Sequence, residues 1–264
     1  MQIKDSVAVV TGGGNGIGEA VVRFLAKNGA KVAVVDMSQK DIDRVVGDLK
    51  ASGASAIGVQ ANVTSEADTA RFYKAAADAF GKVNIVVACA GIIRDGTMLN
   101  IDKATGKVSR KLALDKWTSV IDVNLTGTFL TVRDGAEAMV NGGWQGILIP
   151  ISSVNKVGQV GQLNYSSTKV ADALLPKIVV GEFQMRGIKN VRCVAIAPGY
   201  TATPMVKGMN QDALKAIVAD VHLGRLVEPD EIASLIGHCV ENEAINATTL
   251  EITGGLCYPK GIAK

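Results

Sequence analysis

The 264-residue sequence has little proline, few cysteines and no long apolar run. With only 6 prolines and 48% hydrophobic residues, it differs from disordered and fibrous chains and indicates a compact α/β protein. The 4 cysteines show no CxxC or Cys/His ligand spacing, so we expect no metal site and a reducing, cytoplasmic setting. These cysteines are Cys89, Cys193, Cys239 and Cys257.

Charge and hydropathy argue against two further classes of protein. The 28 basic and 25 acidic residues are mixed along the chain, so no block of like charge marks a nucleic-acid-binding surface. No apolar run approaches the roughly 20 residues that cross a bilayer, and no charged-then-apolar leader precedes the first apolar run. We expect a soluble protein that binds a small-molecule substrate and neither nucleic acid nor membrane.

Apolar runs alternate with helical patterns along the whole chain. The first unit is an apolar run at 7–10, a glycine cluster, an amphipathic helix and a second apolar run at 32–35. Strands this uniformly apolar are typical of parallel sheets covered by helices on both faces. We predict one α/β domain over 1–264, with a doubly wound parallel sheet of about seven strands. The further predicted helices are 40–52, 66–80, 117–140, 165–186 and 228–240, and the further strands are 55–60, 83–88, 146–151, 191–196 and 249–252.

One segment, at about 94–116, does not fit this alternation. It is polar, has turn-forming residues at 102–107, and carries a local excess of basic residues. We predict an inserted surface hairpin or lid. It is either a solvated hairpin or oligomer contact, or a basic flap that attracts a carboxylate or a coenzyme A thioester. The basic residues are Lys103, Lys107, Arg110 and Lys111.

A glycine-rich loop at 11–18 follows the first strand and opens the first helix. Bare backbone at these positions lets the chain turn tightly and approach a pyrophosphate, while the helix N-terminus offers N–H groups and positive potential. A strand-to-helix turn without a ligand is the alternative, but both flanks favour nucleotide binding. The predicted cofactor contacts in this loop are Gly12, Asn15, Gly16, Ile17 and Gly18.

Asp36 closes the second strand about twenty residues after the loop. An acid here accepts hydrogen bonds from the adenosine ribose hydroxyls and repels a 2′-phosphate. Its neighbours Met37 and Ser38 supply no cation that a 2′-phosphate requires. We therefore predict NAD rather than NADP, with Asp36 and Met37 beside the ribose. The alternative is an ordinary aspartate at a strand end.

Tyr165 and Lys169 are four residues apart at the start of a predicted helix, so both side chains lie on one face. An ammonium next to a phenol favours the phenolate, which makes the tyrosine usable as an acid and a base near neutral pH. Such pairs are also common on solvated helix surfaces, so this pair alone is weak evidence.

Several ordered motifs together resemble the short-chain dehydrogenase/reductase family, over nearly the whole chain. They are the glycine loop, Asn124 within 122–125, the serines after the strand at 147–151, the run 165–169, and Pro198-Gly199. The resemblance implies a Rossmann-type fold, with Tyr165 moving the proton and Lys169 bonding the nicotinamide ribose. It further implies that a serine holds the substrate oxygen and that Asn124 anchors a water leading toward Lys169.

The identity of that serine is ambiguous in the sequence. Ser153 fits the strand-end pattern but precedes Tyr165 by 12 residues, whereas Ser152 has the more usual spacing of 13. We favour Ser153, with one loop residue deleted.

The resemblance assigns further cofactor contacts outside the glycine loop. It implies that the nicotinamide carboxamide sits near Thr201 and the pyrophosphate near Thr203, and that the adenine lies at Asn62 and Val63. Ala90 and Gly91 would wall the adenosine ribose through backbone, although Ala88 and Cys89 replace the family's usual asparagines. The full set is Asn62, Val63, Ala90, Gly91, Tyr165, Lys169, Pro198, Gly199, Thr201 and Thr203.

We thus predict an NAD-dependent oxidoreductase that interconverts a secondary alcohol and a ketone, like the family's secondary alcohol dehydrogenases. The alternative within the enzyme class is a 3-oxoacyl thioester reductase acting on an acyl-carrier or coenzyme A substrate. A non-catalytic nucleotide-binding protein would keep the fold without the proton relay, whereas the relay residues are intact here. The resemblance also implies a homotetramer, in which helices starting near Lys116 and Tyr165 pair across subunits.

Overall fold

The computed structural model describes residues 1–208 and 210–256. Within these residues the strands are β1 (Val7–Thr11), β2 (Lys31–Asp36), β3 (Ala56–Gln60), β4 (Ile85–Ala88), β5 (Leu99–Ile101), β6 (Val108–Lys111), β7 (Gly146–Pro150), β8 (Val191–Pro198) and β9 (Thr248–Ile252). The helices are α1 (Gly16–Lys27), α2 (Gln39–Ala51), α3 (Glu66–Phe80), α4 (Leu114–Ile121), α5 (Gly127–Asn141), α6 (Leu163–Met185), α7 (Pro204–Lys207), α8 (Gln211–Val218) and α9 (Pro229–Glu241).

Seven strands form one sheet in the order β3-β2-β1-β4-β7-β8-β9, and every pairing in it is parallel. The predicted doubly wound Rossmann-type sheet is confirmed. The chain builds outward from β1 on one side and from β4 on the other, so the strand order reverses between these two strands. In such sheets the ligand cleft lies at that reversal, beyond the carboxyl ends of the strands.

Each face of the sheet has its own apolar core. Helices α1, α2 and α9 cover one face, where Leu25, Ile42 and Ile236 are almost completely buried. Helices α3 and α5 cover the other, around the buried Phe72 and Met139. The strands lie between the two cores and are buried on both faces. Their sequences are therefore apolar throughout and do not alternate between apolar and polar residues. No helix among the described residues is long and apolar enough to span a membrane.

The polar segment after β4 contains the antiparallel pair β5 and β6, which we call the hairpin (99–111). Its turn is closed by Asp102, whose Oδ1 accepts hydrogen bonds from the N–H groups of Ala104 (3.0 Å) and Thr105 (2.8 Å). All four residues of β6 are exposed. Most hydrogen bonds of the hairpin therefore join residues of the hairpin itself, and its second strand is exposed.

The structure corrects one predicted helix. Instead of one α-helix at 117–140, α4 and α5 are joined by a π-helical turn, Asp122–Thr126. Asn124 lies within that turn and its side chain bonds to backbone outside the helix, as described below. The short helices α7 and α8 were not predicted, because the sequence after Pro204 shows no long apolar stripe.

Candidate active site

The glycine loop is packed so tightly that two of its residues have no space for a side chain. At Gly12 the backbone is left-handed (φ +66°), and a Cβ would lie 3.0 Å from the backbone of Ala90. At Gly18 a Cβ would lie 2.1 Å from the carbonyl oxygen of Gly12. Asn15 caps α1 by accepting a hydrogen bond from Gly16 N–H (2.6 Å). The loop thus holds β1, α1 and the residues after β4 against one another.

Asp36 sits at the end of β2 with its carboxylate turned toward this loop. Oδ2 accepts a hydrogen bond from Gly14 N–H (3.0 Å) and Oδ1 accepts one from Ser38 N–H (3.0 Å). The adjacent Met37 is exposed. The negative charge is therefore fixed next to the predicted ribose position.

Sequence reasoning missed Arg44, a cation on α2 that reaches the glycine loop. Its Nη2 donates to the carbonyl oxygen of Gly14 (2.8 Å) and pairs with Glu19 (2.7 Å). The pairing, led by the hydrogen bond from Arg44, lowers the pKa of Glu19. Arg44 lies eight residues after Asp36, in the second turn of α2, and its contact with the loop is not visible from the residues next to Asp36. Its charge is already engaged by an acid of α1.

The opposite wall of the cleft is formed by Ala90 and Gly91, after β4. Where the family's asparagines are absent, the hydroxyl of Thr11 accepts hydrogen bonds from the N–H groups of Cys89 (3.2 Å) and Ala90 (3.3 Å). Cys89 is half-buried, and burial raises the pKa of its thiol to about 12. The thiol is therefore neutral near pH 7 and fills space in the wall.

Asn62 and Val63 follow β3, on the side of the predicted adenine. The Oδ1 of Asn62 accepts hydrogen bonds from Thr64 N–H (3.1 Å) and from the Thr64 hydroxyl (2.9 Å). Val63 is buried beside Gly127, where an added Cβ would lie 2.6 Å from a methyl group of Val63. The amide oxygen of Asn62 is thus occupied locally, which leaves its Nδ2 group for a ligand.

The segment after β8 runs past the start of α1. Gly199 N–H donates to Ile252 O (2.8 Å), and the Thr201 hydroxyl donates to Gly199 O (3.0 Å). A Cβ at Gly16 would lie 3.4 Å from the Thr203 methyl group. Pro198 ends β8 and begins this segment. The segment and the glycine loop therefore lie next to each other at Gly16 and Thr203.

Tyr165 and Lys169 lie on the first turns of α6, as predicted. The Lys169 Nζ is 5.7 Å from the centre of the Tyr165 ring and donates a hydrogen bond to Ile151 O (2.8 Å). Lys169 is almost completely buried, unlike a solvated surface lysine. Its Nζ also donates to Oδ2 of Asp172 (2.9 Å), a fully buried acid that sequence reasoning missed. The spacing of three residues on one helix face was the available signal.

The two candidate serines have different partners. The Ser152 hydroxyl is buried and donates to the backbone oxygen of Lys169 (2.5 Å). The Ser153 oxygen accepts a hydrogen bond from Asn155 N–H (3.1 Å) and caps the short 3-10 turn Val154–Val157. Ser152 has its hydroxyl hydrogen engaged by α6, whereas that of Ser153 is left to donate to a ligand. This arrangement favours Ser153.

Asn124 is completely buried in the π-helical turn. Its Oδ1 accepts a hydrogen bond from Ile92 N–H (2.8 Å), and its Nδ2 donates to Ile92 O (2.9 Å). It therefore clamps the chain just after the wall residues Ala90 and Gly91. A π-helical turn at such a position is frequent at functional sites.

The base of the hairpin is tied to the loop 153–162, which precedes α6. The Gln162 Nε2 donates to Oδ2 of Asp95 (3.0 Å), and Gly96 N–H donates to Gly161 O (2.8 Å). Gln162 Oε1 in turn accepts from Asn155 Nδ2 (2.8 Å). The hairpin thus joins the loop that carries Ser153.

No group of three potential metal ligands occurs among residues 1–208 and 210–256. Cys89, Cys193 and Cys239 are free thiols, and Cys257 lies outside the described residues.

The comparisons agree with this architecture. The chain belongs to the short-chain dehydrogenase family, whose sequence model matches residues 6–214. It is 35% identical to a human (3R)-3-hydroxyacyl-CoA dehydrogenase, over 97% of each chain. It is 34% identical to a 3-oxoacyl-[acyl-carrier-protein] reductase of Synechocystis, over 95% of this chain and 96% of that protein. The crystal structure of gox2181 has a TM-score of 0.86 at 25% identity, over 97% of this chain and 96% of the other.

The protein is accordingly an oxidoreductase acting on CH–OH and C=O groups, in a family that binds nicotinamide cofactors.

Proposed function

We propose that the protein is an NAD-dependent dehydrogenase that interconverts a secondary alcohol and a ketone. The observation that carries the proposal is the placement of Tyr165 beside the buried Lys169 on α6, in a fold whose first strand leads into the glycine loop. A positioned phenol provides the proton transfer, and the loop provides a nucleotide site.

The cleft residues fit a dinucleotide. A Cβ at Gly12 or Gly18 would meet backbone, so bare backbone and the start of α1 face the space where a pyrophosphate would lie. When bound, the nicotinamide supplies or accepts the hydride at the substrate carbon. Tyr165 exchanges a proton with the substrate oxygen, Ser153 holds that oxygen, and Lys169 supports the charge on the phenolate and bonds the ribose. Asn124 keeps the wall near Ile92 in place.

The preference for NAD is supported by Asp36, whose two oxygens are fixed by the N–H groups of Gly14 and Ser38. A 2′-phosphate would bring negative charge to this carboxylate. Arg44, the nearby cation, is already paired with Glu19. We expect kcat/KM to be higher with NAD than with NADP, and D36A combined with M37R to move the preference toward NADP. Equal kcat/KM values with the two cofactors in the unaltered enzyme would overturn this assignment.

A second candidate is a 3-hydroxyacyl thioester as the particular alcohol. Relatives named for hydroxyacyl-CoA and oxoacyl-carrier substrates favour it, and so does the exposed basic hairpin that joins the Ser153 loop. The relative of Sinomonas cyclohexanicum, 32% identical, is named a cis-4-hydroxycyclohexanecarboxylate dehydrogenase, so an anionic cyclic alcohol is a further class to test. NADH formation should be screened with hydroxyacyl thioesters, cyclic hydroxy acids, neutral secondary alcohols and polyols. Activity with none of them would overturn the proposed function.

We also propose a cytoplasmic homotetramer. Helix α6 exposes an apolar stripe of Val170, Leu174 and Ile178, and α5 exposes Phe129. Exposed stripes of this kind are typical of surfaces that a further subunit covers. Light scattering at micromolar concentration should give about four chain masses, and a mass of one chain would refute the assembly.

A further inference from the structure

Asp172 is a buried acid that the proposed mechanism does not use. It lies on α6 one turn after Lys169, with none of its surface exposed. Its Oδ2 accepts a hydrogen bond from Lys169 Nζ at 2.9 Å, while its Oδ1 has no hydrogen-bond partner among the described residues. A buried carboxylate is costly unless its charge is paired, so Lys169 is what compensates for it.

The same contact determines how Lys169 is held. The ammonium has three hydrogens, of which one is donated to Ile151 O and one to Asp172. One hydrogen is left for the cleft in which Tyr165 lies. Asp172 and the backbone oxygen of Ile151, just after β7, thus hold the ammonium together.

Charge acts in the same direction as geometry. Burial alone would lower the pKa of Lys169, but the Asp172 carboxylate opposes this and the net pKa is raised. Two other groups face the ammonium, the Tyr165 phenol from α6 and the Cys89 thiol from the residues after β4. Burial raises the pKa of the Cys89 thiol to about 12, so that thiol is neutral near pH 7. Burial also raises the pKa of Asp172, whereas the charge of Lys169 and its hydrogen bond lower it, so the two buried charges stabilise each other.

We propose that Asp172 is a positioning residue that keeps Lys169 protonated and directed at Tyr165, so that the proton relay stays intact in alkaline solution. The inference rests on the proposed function for its catalytic consequence, but the state of Lys169 is measurable without substrate or cofactor.

The first test is thermal unfolding of the substrate-free protein from about pH 7 to about pH 10. In D172N the shape is kept and the charge is lost, so burial should lower the pKa of folded Lys169 below that of the unfolded chain. At a pH between the folded and the unfolded pKa of Lys169, unfolded D172N binds more protons than folded D172N. The stability of D172N relative to the unaltered protein therefore rises with pH. We expect the Tm deficit of D172N to shrink as the pH increases. The dependence should vanish when K169M is added.

The matched control is D134N. Asp134 is also a buried carboxylate on a helix, but its partners are Arg133 and Thr69. Because arginine does not titrate in this range, the Tm deficit of D134N should be independent of pH. A D172N deficit that is equally flat would overturn the proposal.

The second test uses the oxidation reaction. The unaltered enzyme should retain kcat/KM up to about pH 10, whereas D172N should lose about tenfold between about pH 8 and pH 10 as Lys169 gives up its proton. D134N should keep the unaltered profile. An alkaline limb in D172N that is unchanged or moves to higher pH overturns the proposal. If no alcohol is oxidised at all, the proposed function fails, and the unfolding test still decides the role of Asp172.

Discussion

The cleft has two sides that are built differently. The nucleotide side, formed by the glycine loop (11–18) and Asp36, is fixed by backbone contacts in which a single added carbon would collide. The proposed substrate side, formed by the loop 153–162 and the hairpin, is joined by one backbone hydrogen bond, from Gly96 to Gly161, and by side-chain hydrogen bonds such as the one between Gln162 and Asp95. A side chain added in the glycine loop would force the neighbouring strands to move. On the substrate side, by contrast, residues can be substituted without moving the sheet.

This difference separates what the fold requires from what one substrate requires. Any chain that closes β1, α1 and β4 in this way needs bare backbone at Gly12 and Gly18. Nothing in the sheet requires the particular amides at 155 and 162. Substitutions on the two sides should therefore fail in different ways.

The largest effect is expected where the two sides meet, at Tyr165. Y165F removes the proton donor and acceptor without changing the shape of the ring, so kcat should fall by about 10²–10⁴-fold. The affinity for NADH, measured by fluorescence titration, should change little. Retained turnover would show that another group moves the proton.

The next effect breaks the nucleotide side alone. In G18A the new Cβ would lie 2.1 Å from Gly12 O, so the loop must shift at a cost of about 1–3 kcal/mol. We expect NADH affinity to fall at least tenfold, together with a lower Tm. The matched control is G47A on the exposed face of α2, where an added Cβ meets nothing within 4 Å. That change should stabilise the protein by about 0.5–1 kcal/mol, and equal damage in both variants would contradict the argument.

A smaller effect distinguishes the two serines. S153A should lower kcat/KM by about 10- to 10²-fold, the worth of a hydrogen bond to a charged oxygen, with Tm nearly unchanged. S152A should instead cost about 1 kcal/mol of stability, because it removes the bond to Lys169 O. If the kinetic loss falls on S152A, the residue alignment of this loop is wrong.

The smallest effect concerns the substrate side alone. Replacing 102–111 by a short turn removes exposed basic charge, so KM for a coenzyme A thioester should rise a few-fold, more at low salt than at high salt. KM for NAD and for a neutral alcohol should stay the same. Equal loss with the neutral alcohol would indicate a role in folding or assembly, and no change would leave the hairpin without a catalytic role.

The strands, the first helix and the glycine loop could be predicted from the sequence because their signals are local. The seven strands of the parallel sheet are predicted from apolar runs, and the glycine loop is recognised by its strand and helix flanks. The placement of Tyr165 and Lys169 on one helix face follows from their spacing alone.

The parts that were missed depend on burial or on contacts between segments that are distant in the sequence. The sequence does not show that Asp172 is buried beside Lys169 in the folded protein. Arg44 reaches the glycine loop only because α2 packs beside α1. The choice between Ser152 and Ser153 required the position of α6, whose backbone occupies one hydroxyl. The contacts of Arg44 and Ser152 leave no local pattern in the sequence, whereas the three-residue spacing of Lys169 and Asp172 was a local signal.

The π-helical turn Asp122–Thr126 determines which side chains of α5 face the sheet. One extra residue in an α-helix rotates later side chains by about 100°, so α4 and α5 are out of register with each other by roughly that angle. Deleting one residue here would restore a continuous helix, and either the Asn124 bonds to Ile92 or the packing of α5 on the sheet would be lost. The length of the hairpin can therefore change without moving α5, whereas the number of residues between Asn124 and α5 cannot.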